Sequence, residues 1–267
     1  MDGKMSTSYL KSMVGKDVKA YQGGPESATG RLIAVGSNFI ILENDRDGVI
    51  YYQTQHIKSI IENSKTNMLL SFSESDNDLA NGENFQELLA DLVGSKVKIN
   101  RGGPESRTGT LLSVTEDYLV VLTDKDGIVY YNIEHIKSVS VSNKGNATED
   151  EEDKDHDEEN KDEQPDFINV DGLDRLFEKM QYTLVTINRG GPESVEGVLV
   201  DTSDDLLTIV VREEVIRISK YHVKSISQRI NNDNSQENNN SSNNSSNDNG
   251  DSLATTKKKN REKRRKR

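Results

Sequence analysis

Three serines and three histidines recur in register along this 267-residue chain, a pattern with chemical potential. Ser27, Ser106 and Ser194 each close a copy of the string Gly-Gly-Pro-Glu-Ser. The copies are Gly23, Gly24, Pro25, Glu26, Ser27; Gly102, Gly103, Pro104, Glu105, Ser106; and Gly190, Gly191, Pro192, Glu193, Ser194. Gly24 to His56 and Gly103 to His135 are both 32 positions, and Gly191 to His222 is 31. Serine, histidine and nearby acids could form a nucleophilic triad. No Gly-x-Ser-x-Gly elbow accompanies them, and an enzyme seldom needs one active site in three adjacent copies. The reading is turn serines and strand-edge histidines, with no catalytic residues and no enzyme activity.

Two other chemistries meet the same objection. The paired glycines are followed by no Gly-Lys-Ser/Thr and do not spell Gly-x-Gly-x-x-Gly, so they cradle no phosphate; they read as a turn in which glycine permits positive φ and proline fixes φ. The acidic run at 149–163 lacks the glycine and terminal glutamate of an EF-hand loop, and the chain has no cysteine to hold a softer metal. No metal and no cofactor are expected.

The elements that carry these residues repeat as well. In the second copy Phe85, Leu88, Leu89 and Leu92 stand at helical spacing before Gly94; Leu173, Leu176, Phe177 and Met180 match them in the third, with Asp171 as N-cap, and Tyr9, Leu10 and Met13 more weakly in the first. A short alternating strand follows (16–20, 96–100, 183–188), then Gly-Gly-Pro-Glu-Ser. Next come a strand opening at Gly30, Gly109 or Gly197 and a more continuous apolar strand. Asp47-Gly48 and Asp126-Gly127 mark a hairpin, replaced by Arg212-Glu213-Glu214 in the third copy. The fourth strand carries Tyr51 and Tyr52, then Tyr130 and Tyr131, but Arg217 and Ile218 in the third copy; one ring of each pair should be buried and the other on the surface. The last strand is His-Ile/Val-Lys-Ser-Ile/Val. Three of the four prolines and three of the four histidines sit in register, which establishes a triplication.

The predicted fold is mainly β. It comprises three tandem five-stranded barrels of Sm-like or SH3-like type, each with a short leading helix. Modules span 6–62, 84–140 and 171–229. They are joined by a polar linker at 63–83, with an apolar patch at Met68-Leu69-Leu70, and by an acidic linker at 141–170. An Asn/Ser-rich tail with a basic end occupies 230–267. The acidic linker and tail compositions predict disorder. Modules this small, without disulfides, should pack on one another or on a second chain. A net charge of −12 and modules lacking RNA-reading aromatic signatures argue against nucleic acid, although an Sm-like nucleic-acid-binding protein is the alternative reading. No apolar run is long enough for a signal-peptide core or a membrane span.

The Gly-Gly-Pro-Glu-Ser copies at 23–27, 102–106 and 190–194 and the three His-Ile/Val-Lys-Ser-Ile/Val segments resemble the spore coat protein B family of endospore-forming bacilli, across residues 8–228. The resemblance implies a structural component of the outer spore coat, made in the mother cell, with other coat proteins as partners and self-association possible. Family members can carry a long serine-rich, basic C-terminal region that is a phosphorylation substrate. Here the tail is shorter and asparagine-rich, leaving Ser241, Ser242, Ser245 and Ser246 as candidate sites for a coat-associated kinase.

Overall fold

A computed structural model describes residues 6–44, 47–62, 79–141 and 165–228. These all fall in one compact unit, Met1–Ile230. In the first repeat a helix α1 (Thr7–Lys11) leads into strands β1 (Asp17–Ala20), β2 (Ala28–Val35), β3 (Phe39–Asn44), β4 (Gly48–Gln53) and β5 (Ile60–Glu62). The second repeats the order with α2 (Phe85–Asp91), β6 (Lys96–Ile99), β7 (Arg107–Val114), β8 (Tyr118–Thr123), β9 (Gly127–Asn132) and β10 (Ser138–Val141). The third follows with α3 (Leu173–Met180), β11 (Leu184–Ile187), β12 (Val195–Asp201), β13 (Leu206–Val211), β14 (Glu214–Ser219) and β15 (Ser225–Gln228). One 3₁₀ turn ends in each repeated histidine: Thr54–His56, Ile133–His135 and Lys220–His222.

The second strand of each repeat is bent at a register shift, between Leu32 and Ala34, Leu111 and Ser113, and Leu199 and Asp201. Near its start lies the glycine noted in the sequence. A Cβ on Gly30 or Gly109 would collide with the carbonyl oxygen of Glu43 or Leu122, and one on Gly197 would lie 2.6 Å from that of Val210. Close passage of two backbones therefore excludes any side chain at these positions.

The mainly β expectation holds, and so does one short helix per repeat. The pairing of the strands does not divide them into the three tandem barrels expected. They make one continuous antiparallel sheet of fifteen strands that does not close, in the order β14-β13-β12-β11-β15-β9-β8-β7-β6-β10-β4-β3-β2-β1-β5. Within each repeat the fifth strand pairs with the first, and the fourth pairs only with the third on its own side. The open side of β4 is taken by β10, and that of β9 by β15.

This pairing explains the near-continuous apolar runs in the third and fourth strands. Successive side chains point to opposite faces. Ile40, Leu42, Ile50 and Tyr52 fill the first repeat's core with Leu10, Met13 and Val18. Their neighbours Phe39, Ile41, Val49 and Tyr51 belong instead to the core of the second repeat, with Phe85, Leu88 and Leu89. Tyr118, Val120, Ile128 and Tyr130 enter the third repeat's core with Leu176, Phe177 and Met180 in the same way. Both faces of these strands are dry because each repeat covers the back of the one before it.

Both tyrosines of each pair are consequently buried, with Tyr51, Tyr52, Tyr130 and Tyr131 all at most 3% exposed. The expectation of one surface ring fails because the face that would have met water meets the next repeat.

Candidate assembly interface

The two junctions between repeats use the same polar contacts, and the signature residues supply them. At the first junction β10 pairs with β4, Val139 opposite Tyr51 and Val141 opposite Val49. Ser138 sits at the start of β10 and donates from Oγ to Glu26 Oε2 at 2.7 Å. Glu26 belongs to the Gly-Gly-Pro-Glu-Ser loop of the preceding repeat and is 4% exposed. The Arg101 backbone N–H also points to Glu26 Oε2, at 3.3 Å, and Tyr52 Oη donates to the Glu26 carbonyl at 2.7 Å. The second junction repeats this with Ser225 Oγ donating to Glu105 Oε2 at 2.9 Å.

Each histidine acts across the same boundary. His56 donates from Nε2 to the carbonyl of Glu134 at 2.8 Å, and His135 from Nε2 to that of Tyr221 at 2.7 Å. Just before them the Gln53 N–H donates to the Lys137 carbonyl and the Asn132 N–H to that of Lys224, both at 3.0 Å. Burial holds the His56 imidazole below its ordinary titration range, and neighbouring Lys137 and His135 act in the same direction.

The hairpin aspartates form a third shared contact. Asp47 pairs with Arg101 of the next repeat at 2.9 Å, and Asp126 with Arg189 at 3.4 Å. Asp126 also holds Arg107 of its own repeat at 2.7 Å.

A fourth contact ties down the segments entering α2 and α3. Tyr51 Oη accepts from the Ala80 N–H at 3.2 Å, and Tyr130 Oη from the Ile168 N–H at 2.8 Å. Tyr118 Oη both donates to the Val170 carbonyl, at 2.7 Å, and accepts from the Val170 N–H, at 3.0 Å. Helix starts are held likewise: the Phe85 N–H donates to Asn38 Oδ1 at 2.7 Å, and the Leu173 N–H to Asp117 Oδ2 at 3.1 Å. Asp171 is not the N-cap of α3; Gly172 is, at φ 83°, and the side-chain acceptor comes from the preceding repeat. Burial raises the phenols of Tyr51 and Tyr118 above their ordinary range and pushes Tyr130 up to about 12, so these hydroxyls remain protonated bonding groups.

The Gly-Gly-Pro-Glu-Ser residues thus lie between the first and second strands of each repeat, with the glutamates of the first two copies turned to the following repeat. The loop serines serve their own loop. Ser27 Oγ donates to the Tyr21 carbonyl at 3.0 Å and Ser106 Oγ to the Asn100 carbonyl at 2.6 Å. Tyr21, Asn100 and Asn188 hold positive φ at 58°, 50° and 51°, where the chain leaves the first strand. The Asn100 side chain accepts from the Lys137 N–H and that of Asn188 from the Lys224 N–H, both at 2.8 Å. Ser106 and His135, the would-be nucleophile and base, bond to separate backbone carbonyls.

What the residues alone did not show is that the repeated Glu, His, Asp-Gly and His-x-Lys-Ser positions work between repeats. The available signal was the persistence of the Glu and His-x-Lys-Ser positions in all copies, and of Asp-Gly in the first two, at places where a turn or strand needs no such side chain. Ser241, Ser242, Ser245, Ser246, the acidic run, the basic end and Met68-Leu69-Leu70 lie outside the described residues.

No family model matches the chain. Against curated proteins, 223 of its residues, 82% of the chain, are 39% identical to spore coat protein B of Bacillus subtilis (strain 168). The matched stretch belongs to the spore coat protein B family. The chain spans about half (54%) of the length of that spore coat protein B relative. An identity of 39% over so long a stretch runs well beyond the signature loops.

Proposed function

We propose that this chain is a structural, non-enzymatic component of the endospore coat, in its outer layer, made in the mother-cell cytoplasm and acting through protein–protein assembly. The observation that carries the reading is the 39% identity to a spore coat protein B. The junctions support it, because the repeated residues are used for holding β-modules to each other. Each repeat has the strand order 4-3-2-1-5, which suits an Sm-like module whose open edge is completed by its neighbour. Other coat proteins are the expected partners. The acidic 149–163 and basic 257–267 runs add weak multivalent attraction, and a coat-associated kinase acting on Ser241, Ser242, Ser245 and Ser246 belongs to the same reading.

Immunogold labelling of sporulating cells with an antibody against residues 141–165 tests the proposal. Label concentrated on the coat of mature spores is expected. Label spread through vegetative cytoplasm or over the nucleoid would overturn it and put nucleic-acid binding first.

A further inference from the structure

The sheet has two unpaired edges among the described residues. β5 pairs only with β1, and β14 only with β13. They are the equivalents of the two strands joined at each internal junction. We propose that β5 of one copy pairs antiparallel with β14 of a second copy, head to tail, so that the sheet runs on from chain to chain. The inference deepens the assembly reading above and rests on it for its setting, not for its test.

The register follows from β10 on β4 by equivalence, placing Ser59 opposite Ile218, Ile60 opposite Arg217, Ile61 opposite Ile216 and Glu62 opposite Val215. The surfaces are of the kind such a contact covers. Val215 is 54% exposed and Leu206 40%, while their counterparts Val49 and Ile128, Phe39 and Tyr118 are at most 7% exposed. On the other end Tyr9 is 63% and Ile61 43% exposed, while Leu88 and Leu176, which match Tyr9, are fully buried against the preceding repeat. Contacts described at the internal junctions have their halves here too. Glu193 is exposed at one end, and Ser59 stands at the other for Ser138 and Ser225. His222 takes the place of His56 and His135, aimed at the Gln55 carbonyl of the second copy.

The ends are also marked as different from the internal junctions. Arg217 replaces the tyrosine at 51 and 130, and Glu62 replaces Val141. In the stated register these two are diagonal neighbours on one face, a favourable opposite-charge pair across strands. Glu62 is already bridged to Lys16 at 2.8 Å, which holds its carboxylate at that edge. The Asp–Arg pair of the internal junctions has no counterpart, since Gln22 replaces Arg101 and Arg212-Glu213 replaces the Asp-Gly hairpin. This contact is therefore weaker than the internal ones and selects end for end. Such a heterologous contact closes into a ring or extends as a filament, depending on the rotation per chain.

The chain has no cysteine, which makes a disulfide test clean. Full-length Glu62→Cys and Val215→Cys chains are mixed under mild oxidation and run without reductant. A linked species at twice the 29.8 kDa chain mass is expected, at roughly tenfold the yield of either variant alone. In sedimentation of cysteine-free full-length protein, Arg217→Glu should weaken association about fivefold and Glu62→Arg combined with it should restore association. Equal cross-linking in the mixed and single samples, or a single-chain mass at all concentrations, overturns the pairing whether or not the protein is found in the coat.

Discussion

At the scale of single residues, Ser138 and Glu26 are the pair on which the first junction turns. Replacing Ser138 by Ala takes away the 2.7 Å donor and leaves Glu26 Oε2 the longer Arg101 N–H in a buried setting. We expect about 1–3 kcal/mol of lost stability, read by urea denaturation. The same change at Ser225 should cost less, because Glu105 is less deeply buried than Glu26. His56 adds a pH dependence. Its folded pKa is lowered by burial, so the unfolded chain takes up the proton first. Its contribution is complete above the ordinary histidine value of about 6.5 and is lost as pH falls below it. Melting temperature should therefore drop between pH 7.5 and 5.5, and His56→Gln, which keeps an N–H donor, should flatten that part of the slope. An unchanged slope would remove His56 from the account.

At the scale of elements, the bent second strand and the lead-in segments are the sensitive parts. Gly109→Ala forces a Cβ against the Leu122 carbonyl, which neither strand can yield without losing its ladder. A cost of about 1–3 kcal/mol or more is expected, seen as a lower denaturation midpoint. Tyr118→Phe keeps the ring but strips both backbone groups of Val170 of their partner. Faster amide exchange at Val170 and Leu173, with exchange in β6 unchanged, is the expected result. Helices, hairpins and the succession of strands along the chain were readable because period, Gly-Pro loops and Asp-Gly turns are local signals. The sharing of cores was not. A run such as Tyr118-Leu119-Val120-Val121 says that both faces are dry, but not which body covers the second face. Asp171 misled for a related reason, since the acceptor at the start of α3 is Asp117, 56 positions back in the chain.

At the scale of the whole molecule, the sheet makes the three repeats interdependent. A chain ending at Val141 would expose Tyr118, Val120, Ile128 and Tyr130, which the third repeat now covers. We expect that fragment to bind an environment-sensitive apolar dye and to melt at lower temperature than the full protein; a fragment as stable and dye-silent as the parent would show that the repeats are autonomous. The triplication itself was legible, because three of the four prolines and three of the four histidines do not fall in register by accident. That the third copy differs from the other two was also visible, in Arg217 and Ile218 for the tyrosine pair, but its meaning depended on seeing which edges remain unpaired.

The borrowing of a later strand by an earlier repeat also sets an order of events during synthesis. Tyr51 leaves the ribosome 88 residues before Val139, its partner across the first junction. At about 5–20 residues per second, the back of the first repeat stays wet for roughly 4–18 seconds before its cover is made. The same delay then passes to the second repeat. A nascent chain of this kind presents one fresh apolar face at a time, always at its most recently finished end, and translation speed through 63–84 and 142–172 governs how long another nascent chain has to seize it.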